Sequence, residues 1–150
     1  GWAVGYRRKA VVAVVGAVSK ATNGRPTCRG VLDYVARVAA ELSDVRLGEL
    51  FRALVSPDRT PREVAEAVRR NRAGLTELVR TTARQATKGA RVQLARALRD
   101  CGHFDEALAV AADAARHFGT DTSLDRLLTG LRKYCSNPDG VTPTNPDRPG

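Results

Sequence analysis

Apolar residues recur every three or four positions along most of this chain, which is the spacing of one face of an α-helix. The clearest stretch covers residues 94–119, where two such patterns meet at Gly102. The apolar positions of the first pattern are Leu94, Ala97, Leu98 and Cys101, and those of the second are Phe104, Ala107, Leu108, Ala111, Ala114, Ala115 and Phe118. Because glycine adopts the left-handed conformation that ends many helices, the pattern predicts two amphipathic helices joined at Gly102.

Capping signals predict where other helices begin. Thr60-Pro61-Arg62-Glu63 is a capping box, in which the threonine and the glutamate satisfy free N–H groups and the proline takes the first helical position. Ser43-Asp44 and Asp121-Thr122 predict two further starts. The first of these precedes the apolar positions Val45, Leu47, Leu50, Phe51 and Leu54, and the second precedes a helix that reaches Cys135.

The remaining helices are predicted near residues 4–21, 28–42 and 73–88, which gives about eight helices separated by short polar turns. The apolar run at residues 10–18 is interpreted as a buried first helix, with a strand as the alternative because it is rich in valine. The run is about half as long as a membrane-spanning helix, so no membrane span is predicted. Short turns favour antiparallel neighbours, and the expected fold is all-α.

The junction Gly102-His-Phe-Asp-Glu-Ala-Leu108 resembles the inter-helix turn of tetratricopeptide and pentatricopeptide repeats. Leu94, Ala95 and Leu98 fall where the first helix of such a repeat carries its packing residues. Leu127, which follows Leu94 by 33 residues, begins a segment with the same pattern. The resemblance implies a short α-solenoid of antiparallel helix hairpins that binds a partner.

Several positions depart from the repeat consensus. Arg91 replaces an early aromatic residue of the tetratricopeptide pattern, and Gly119 replaces its final proline. Pentatricopeptide repeats recognise bases through polar residues of the first helix, and the equivalent positions here are Val92 and Asp125. Because valine cannot hydrogen-bond a base edge, the resemblance implies a degenerate structural relative and not a sequence-specific RNA-binding factor.

Composition divides the chain after residue 135. Residues 1–135 carry all the predicted helices, and we expect them to form one helical-repeat domain with a basic N-terminal helix within residues 1–32. Residues 136–150 hold four of the seven prolines and one aliphatic residue, which predicts an extended proline-rich tail.

The net charge of +9 comes from 25 basic and 16 acidic residues. Residues 1–32 hold six basic residues and no acid, and residues 61–100 hold ten basic residues and four acids. Arginine outnumbers lysine 21 to 4, which suits bidentate contacts with phosphate. A solvated basic face without a ligand is the alternative interpretation.

In the predicted helix at residues 73–88, a helical wheel places Arg80, Arg84 and Lys88 opposite the apolar face. That face consists of Leu75, Leu78, Val79, Ala83 and Ala86. Like charges four residues apart repel, and an anionic partner offsets this cost. The predicted RNA phosphate contacts are Arg7, Arg8, Lys9, Arg69, Arg70, Arg72, Arg80, Arg84, Lys88 and Arg91.

No catalytic or metal site is predicted. His103 and His117 have no nucleophile and orienting acid at a usable spacing. A helix would separate these histidines by roughly 20 Å, which is too far for a zinc site shared with Cys101 and Cys135. We therefore expect no enzymatic activity, no cofactor and no small-molecule substrate.

The expected function is that of a scaffold: a non-enzymatic structural subunit of a large ribonucleoprotein, such as a mitochondrial ribosome or an RNA-processing complex. It would contact RNA, most simply ribosomal RNA, and neighbouring protein subunits. The alternative is a tetratricopeptide-like adaptor that binds a peptide without nucleic acid.

Three cysteines (Cys28, Cys101 and Cys135) are too few for a disulfide framework and favour a reducing intracellular compartment. The basic N-terminal segment resembles an organelle transit segment, which predicts a mitochondrial location, although an ordinary basic helix has the same composition.

Overall fold

The computed structural model describes residues 9–135, which form seven α-helices and one 3₁₀ turn. The helices are α1 (Lys9–Ala21), α2 (Cys28–Val38), α3 (Asp44–Leu54), α4 (Pro61–Gln85), α5 (Lys88–Asp100), α6 (Phe104–Phe118) and α7 (Thr122–Arg132), and the 3₁₀ turn is Ala39–Glu41. These residues contain no strand, so the fold is all-α. The strand alternative for residues 10–18 is wrong, because they lie within α1. The predicted tail at residues 136–150 lies outside the described residues.

Local capping determines where the helices begin. The Thr60 hydroxyl accepts from the Glu63 N–H at 3.1 Å, and the Glu63 carboxylate accepts from the Thr60 N–H at 2.9 Å. The predicted capping box is therefore confirmed, as are the starts at Ser43 and Asp121, whose side chains accept from backbone N–H groups. Gly102 has φ +86°, which confirms a left-handed junction between α5 and α6.

The boundaries of α4 differ from those predicted. Residues 61–85 form one kinked helix, with Asn71 at φ −151° and ψ 67°, where two separate helices were expected. The Asn71 side chain accepts from the Gly74 N–H at 3.0 Å and so caps the second half of the helix. The helix ends at Gln85 because Ala86 takes a left-handed conformation, φ 48°. Lys88 therefore begins α5 and is not the last residue of α4.

The core extends through all seven helices. The apolar run of α1 is buried and packs against α2, α3 and α5, so the first helix joins the two halves of the described chain. In the first half, α2 and α3 pack against α4. In the second half, α5 packs against α6 and α7, and α6 packs against α7.

Three residues predicted on apolar faces are exposed: Val45 by 72%, Leu78 by 49% and Phe118 by 40%. Val45 lies about 200° from Leu47 around α3, away from the buried side. Thr76 of the same helix is buried, and its hydroxyl is satisfied by donating to the Arg72 carbonyl at 2.9 Å.

Candidate nucleic-acid interface

Arg72 and Arg80, two of the ten predicted phosphate contacts, are bound by groups of the same chain. Arg72 donates to Asp44 at 2.5 Å and to the backbone carbonyl of Leu42, which ties α4 to the segment before α3. Arg80 donates to the Ala36 carbonyl at 3.1 Å and pairs with Glu77, and only 22% of its side chain is exposed. Both guanidinium groups therefore join helices, and the prediction that Arg80 faces solvent opposite the apolar side is wrong.

Lys88 and Arg91 join helices in the second half. The Lys88 ammonium lies 2.9 Å from the Asp121 carboxylate, and this hydrogen bond lowers the pKa of Asp121, with a further contribution from the Leu124 N–H. Arg91 pairs with Asp113 and donates to the Ala86 carbonyl at 2.7 Å. A helical wheel of one helix could not predict these contacts, because their partners lie on other elements.

Arg69 and Arg70 remain on the surface, with 74% and 76% of their side chains exposed. Both pair with Glu66 on the same helix, at 2.5 and 2.9 Å. The Arg69 hydrogen bond is the main cause that lowers the pKa of the Glu66 carboxyl, and the same contact raises the pKa of Arg69. These two cations can face an anionic partner, but they share one carboxylate.

Lys9 and Arg84 are the predicted contacts that are exposed and have no ion pair with another residue in 9–135. Arg7 and Arg8 lie outside the described residues. Six of the eight predicted residues that the structure describes are therefore paired with acidic side chains of the same chain.

A second basic cluster lies in a groove between α5 and α7, which we call the arginine groove. It is lined by Arg96, Arg99, Thr122, Ser123, Arg126 and Leu127. Arg96 donates to the Ser123 hydroxyl at 2.7 Å, and Arg126 is exposed and has no ion pair with a described residue. Arg99 donates to Asp100 at 3.3 Å. The guanidinium groups of three arginines thus line one groove. The described residues that line it include no acid.

The sequence did not predict this groove, because the positive and negative charges of residues 94–119 nearly balance. The available signal was the pair Arg96 and Arg99, which are three residues apart and therefore neighbours on one helix surface. Arg126 joins them only because α7 packs beside α5, which is a tertiary arrangement.

An apolar pocket of about 380 Å³ lies between α1 and the helices α2 and α3. Its lining includes Ala13, Ala17, Tyr34, Leu42 and Arg46. The Arg46 Nη1 atom is buried and has no hydrogen-bond partner, and the nearest Glu49 oxygen is 3.7 Å away. A buried donor without an acceptor is costly, and the ion pair with Glu49 partly offsets that cost.

The histidines and cysteines, all of which lie in the described part of the chain, do not form a recognisable catalytic site. His103 Nε2 lies 3.4 Å from Ser19 Oγ, a contact that the sequence did not predict. A nucleophilic pair also needs a group that orients the imidazole, and no described residue hydrogen-bonds the other ring nitrogen of His103. All three thiols are free, and residues 9–135 contain no group of three side chains suited to hold a metal ion.

Within residues 9–135, none of the helices has the length and apolar content needed to cross a membrane. Comparison with protein-family models, curated proteins and solved structures found no match.

Proposed function

We propose that this protein is a non-enzymatic structural subunit of a large ribonucleoprotein, in which basic side chains contact RNA phosphates and apolar surfaces contact neighbouring subunits. The observation that supports this proposal is the number of basic side chains that have no ion pair within the described chain. The chain has a net charge of +9, and six of its 16 acidic residues pair with arginines in the described part of the chain. Exposed basic residues that have no ion pair with a described residue include Lys20, Arg25, Arg62, Arg84, Arg126 and Lys133. Such a surface attracts polyanions.

We also propose that α5, α6 and α7 are one and a half degenerate repeats of the tetratricopeptide or pentatricopeptide type. Support comes from the left-handed Gly102 between α5 and α6 and from the packing of α5 against α7, the first helices of two consecutive units. The hydrogen bond from Arg96 to Ser123 joins these two helices directly. A mitochondrial ribosome or an RNA-processing complex is the proposed setting, and its location would be reducing and intracellular.

A tetratricopeptide-like adaptor without nucleic acid is the second candidate. The apolar pocket beside Arg46 favours it, because small alanines leave space for a bulky apolar side chain and the net charge of +9 suits an acidic peptide. This candidate predicts binding to acidic amphipathic peptides that resists salt better than phosphate binding does.

The test is binding of the full chain to labelled single-stranded RNA at about 50 and about 200 mM salt. Phosphate binding releases counterions, so three contacts imply a loss of affinity on the order of tenfold over this range. Undetectable binding at the lower concentration, or an affinity unaffected by salt, would overturn the proposal and favour the adaptor. Co-sedimentation with ribosomal RNA from mildly extracted native material tests the proposed assembly.

A further inference from the structure

We propose that the arginine groove between α5 and α7 binds the phosphate backbone of a single RNA strand. This inference rests on the proposed function and assigns it a surface other than the predicted residues Arg69–Arg91.

Internal contacts hold two of the three arginines in place, and Arg99 keeps donors for a ligand. Arg99 uses one N–H group for Asp100, and no other described residue accepts from it. A guanidinium carries five N–H donors, so several remain available to phosphate oxygens. Arg96 is oriented by its hydrogen bond to Ser123, which reduces the side-chain entropy that a ligand would otherwise have to offset.

The positive surface continues beyond the groove on both sides. Arg52 of α3 shares a small recess with Arg96, and Lys133 shares a recess along α7 with Arg126. Arg126 and Lys133 are seven residues apart, which is about 10 Å along a helix. Among the described residues that line these three recesses, Asp125 is the one acid. A surface of this length suits a linear polyanion better than a single small anion.

The groove offers what a phosphate backbone needs and lacks what a peptide needs. The Thr122 and Ser123 hydroxyls lie among the arginines and can donate to phosphate oxygens. The one aliphatic side chain in the lining, Leu127, is only 5% exposed, so a peptide would find no pocket for an apolar anchor. Without groups arranged to read base edges, the groove should bind RNA with little sequence preference.

Charge reversal at Arg126 tests this assignment, because the side chain is exposed and its loss should not disturb the core. R126E should weaken binding of a labelled 15-nucleotide uridine RNA by about tenfold at about 50 mM salt, the loss typical of a charged hydrogen bond. The slope of log affinity against log salt should become less steep by about one. R99A should change both quantities in the same direction.

The matched control is R29E, which makes the same charge change at an exposed residue of α2 that does not line the groove. Thermal unfolding of all variants verifies that they fold. If R126E and R99A bind RNA as R29E does, the groove is not the site, although the proposed function survives.

If the unmodified protein does not bind RNA at all, the proposed function and this inference both fail. Polyglutamate of matched charge is the third probe. Should it bind as tightly as RNA and respond equally to R126E, the groove takes acidic protein segments, and its assignment to RNA is overturned.

Discussion

The Arg91 guanidinium in α5 pairs with the Asp113 carboxylate in α6, and the same group donates to the Ala86 carbonyl at 2.7 Å. The guanidinium also lies 5.4 Å from the centre of the Phe118 ring. Only 18% of the Arg91 side chain is exposed. One arginine therefore connects the residue that follows α4 with two successive helices.

Arg91→Ala should lower the free energy of unfolding by about 1–2 kcal/mol, because it removes a charged hydrogen bond and leaves the Ala86 carbonyl with one partner fewer. Denaturant unfolding measures this change. Arg116→Ala is the control, since Arg116 also approaches Asp113, at 3.5 Å, but is 69% exposed. That substitution should cost less than about 0.5 kcal/mol. Equal losses for the two variants would contradict a structural role for Arg91.

Gly74 and Gly130 should respond differently to alanine, although both lie inside helices. A Cβ at Gly130 meets nothing within 4 Å, so Gly130→Ala should raise the free energy of unfolding by about 0.5–1 kcal/mol. A Cβ at Gly74 collides with the Asn71 side chain and displaces the cap of the second half of α4. Losing a cap costs about 1 kcal/mol, which cancels the gain in helix propensity. A clear stabilisation by Gly74→Ala in thermal or denaturant unfolding would show that the kink does not depend on this contact.

The sequence predicted the features that depend on neighbours along the chain. Thr60 and Glu63 form their capping box within four residues, and Gly102 needs only its own backbone freedom. The sequence predicted the wrong surroundings for Arg80, because the Ala36 carbonyl that accepts from its guanidinium belongs to α2, 44 residues away. Long-range contacts of this kind depend on the packing of helices and leave no periodic signal.

The candidate site was missed for a related reason. Arg96 and Arg126 belong to different helices, and charges counted along the sequence do not show that these side chains line one groove between α5 and α7. The count over residues 61–100 treated Arg91 as surface charge, although its partner Asp113 lies across the helix pair. Net charge predicts the class of partner, and pairing within the fold decides which cations can reach it.

Glu63 should make the protein more sensitive to acid. The Thr60 N–H, and then its hydroxyl, hold the pKa of the Glu63 carboxyl below its ordinary value of 4.5. Its contribution is therefore present above that value and is lost as the pH falls through the lower pKa of the folded state. Glu63→Gln should be less stable than the original protein at pH 7, and the difference should shrink as the pH falls below 4.5. Glu41→Gln, which removes an exposed charge without an ion pair to a described residue, controls for net charge. A difference that persists unchanged at pH 3 would argue against this linkage.

Cys135 should have the opposite dependence at alkaline pH. Burial raises the pKa of its thiol to about 11, with added effects of Asp105 and Glu106, and the thiol donates to the Phe104 carbonyl at 3.2 Å. Because the folded pKa lies above the unfolded one, the stabilisation is complete below about pH 9 and is lost as the pH rises towards 11. The original protein should therefore lose stability more steeply over this interval than Cys135→Ala, when both are unfolded in urea at several pH values. Cys101→Ala should change the profile less, since burial also raises the pKa of its thiol but by a smaller amount. Parallel pH profiles for the original protein and Cys135→Ala would mean that the pKa of this thiol is no higher in the folded protein than in the unfolded chain.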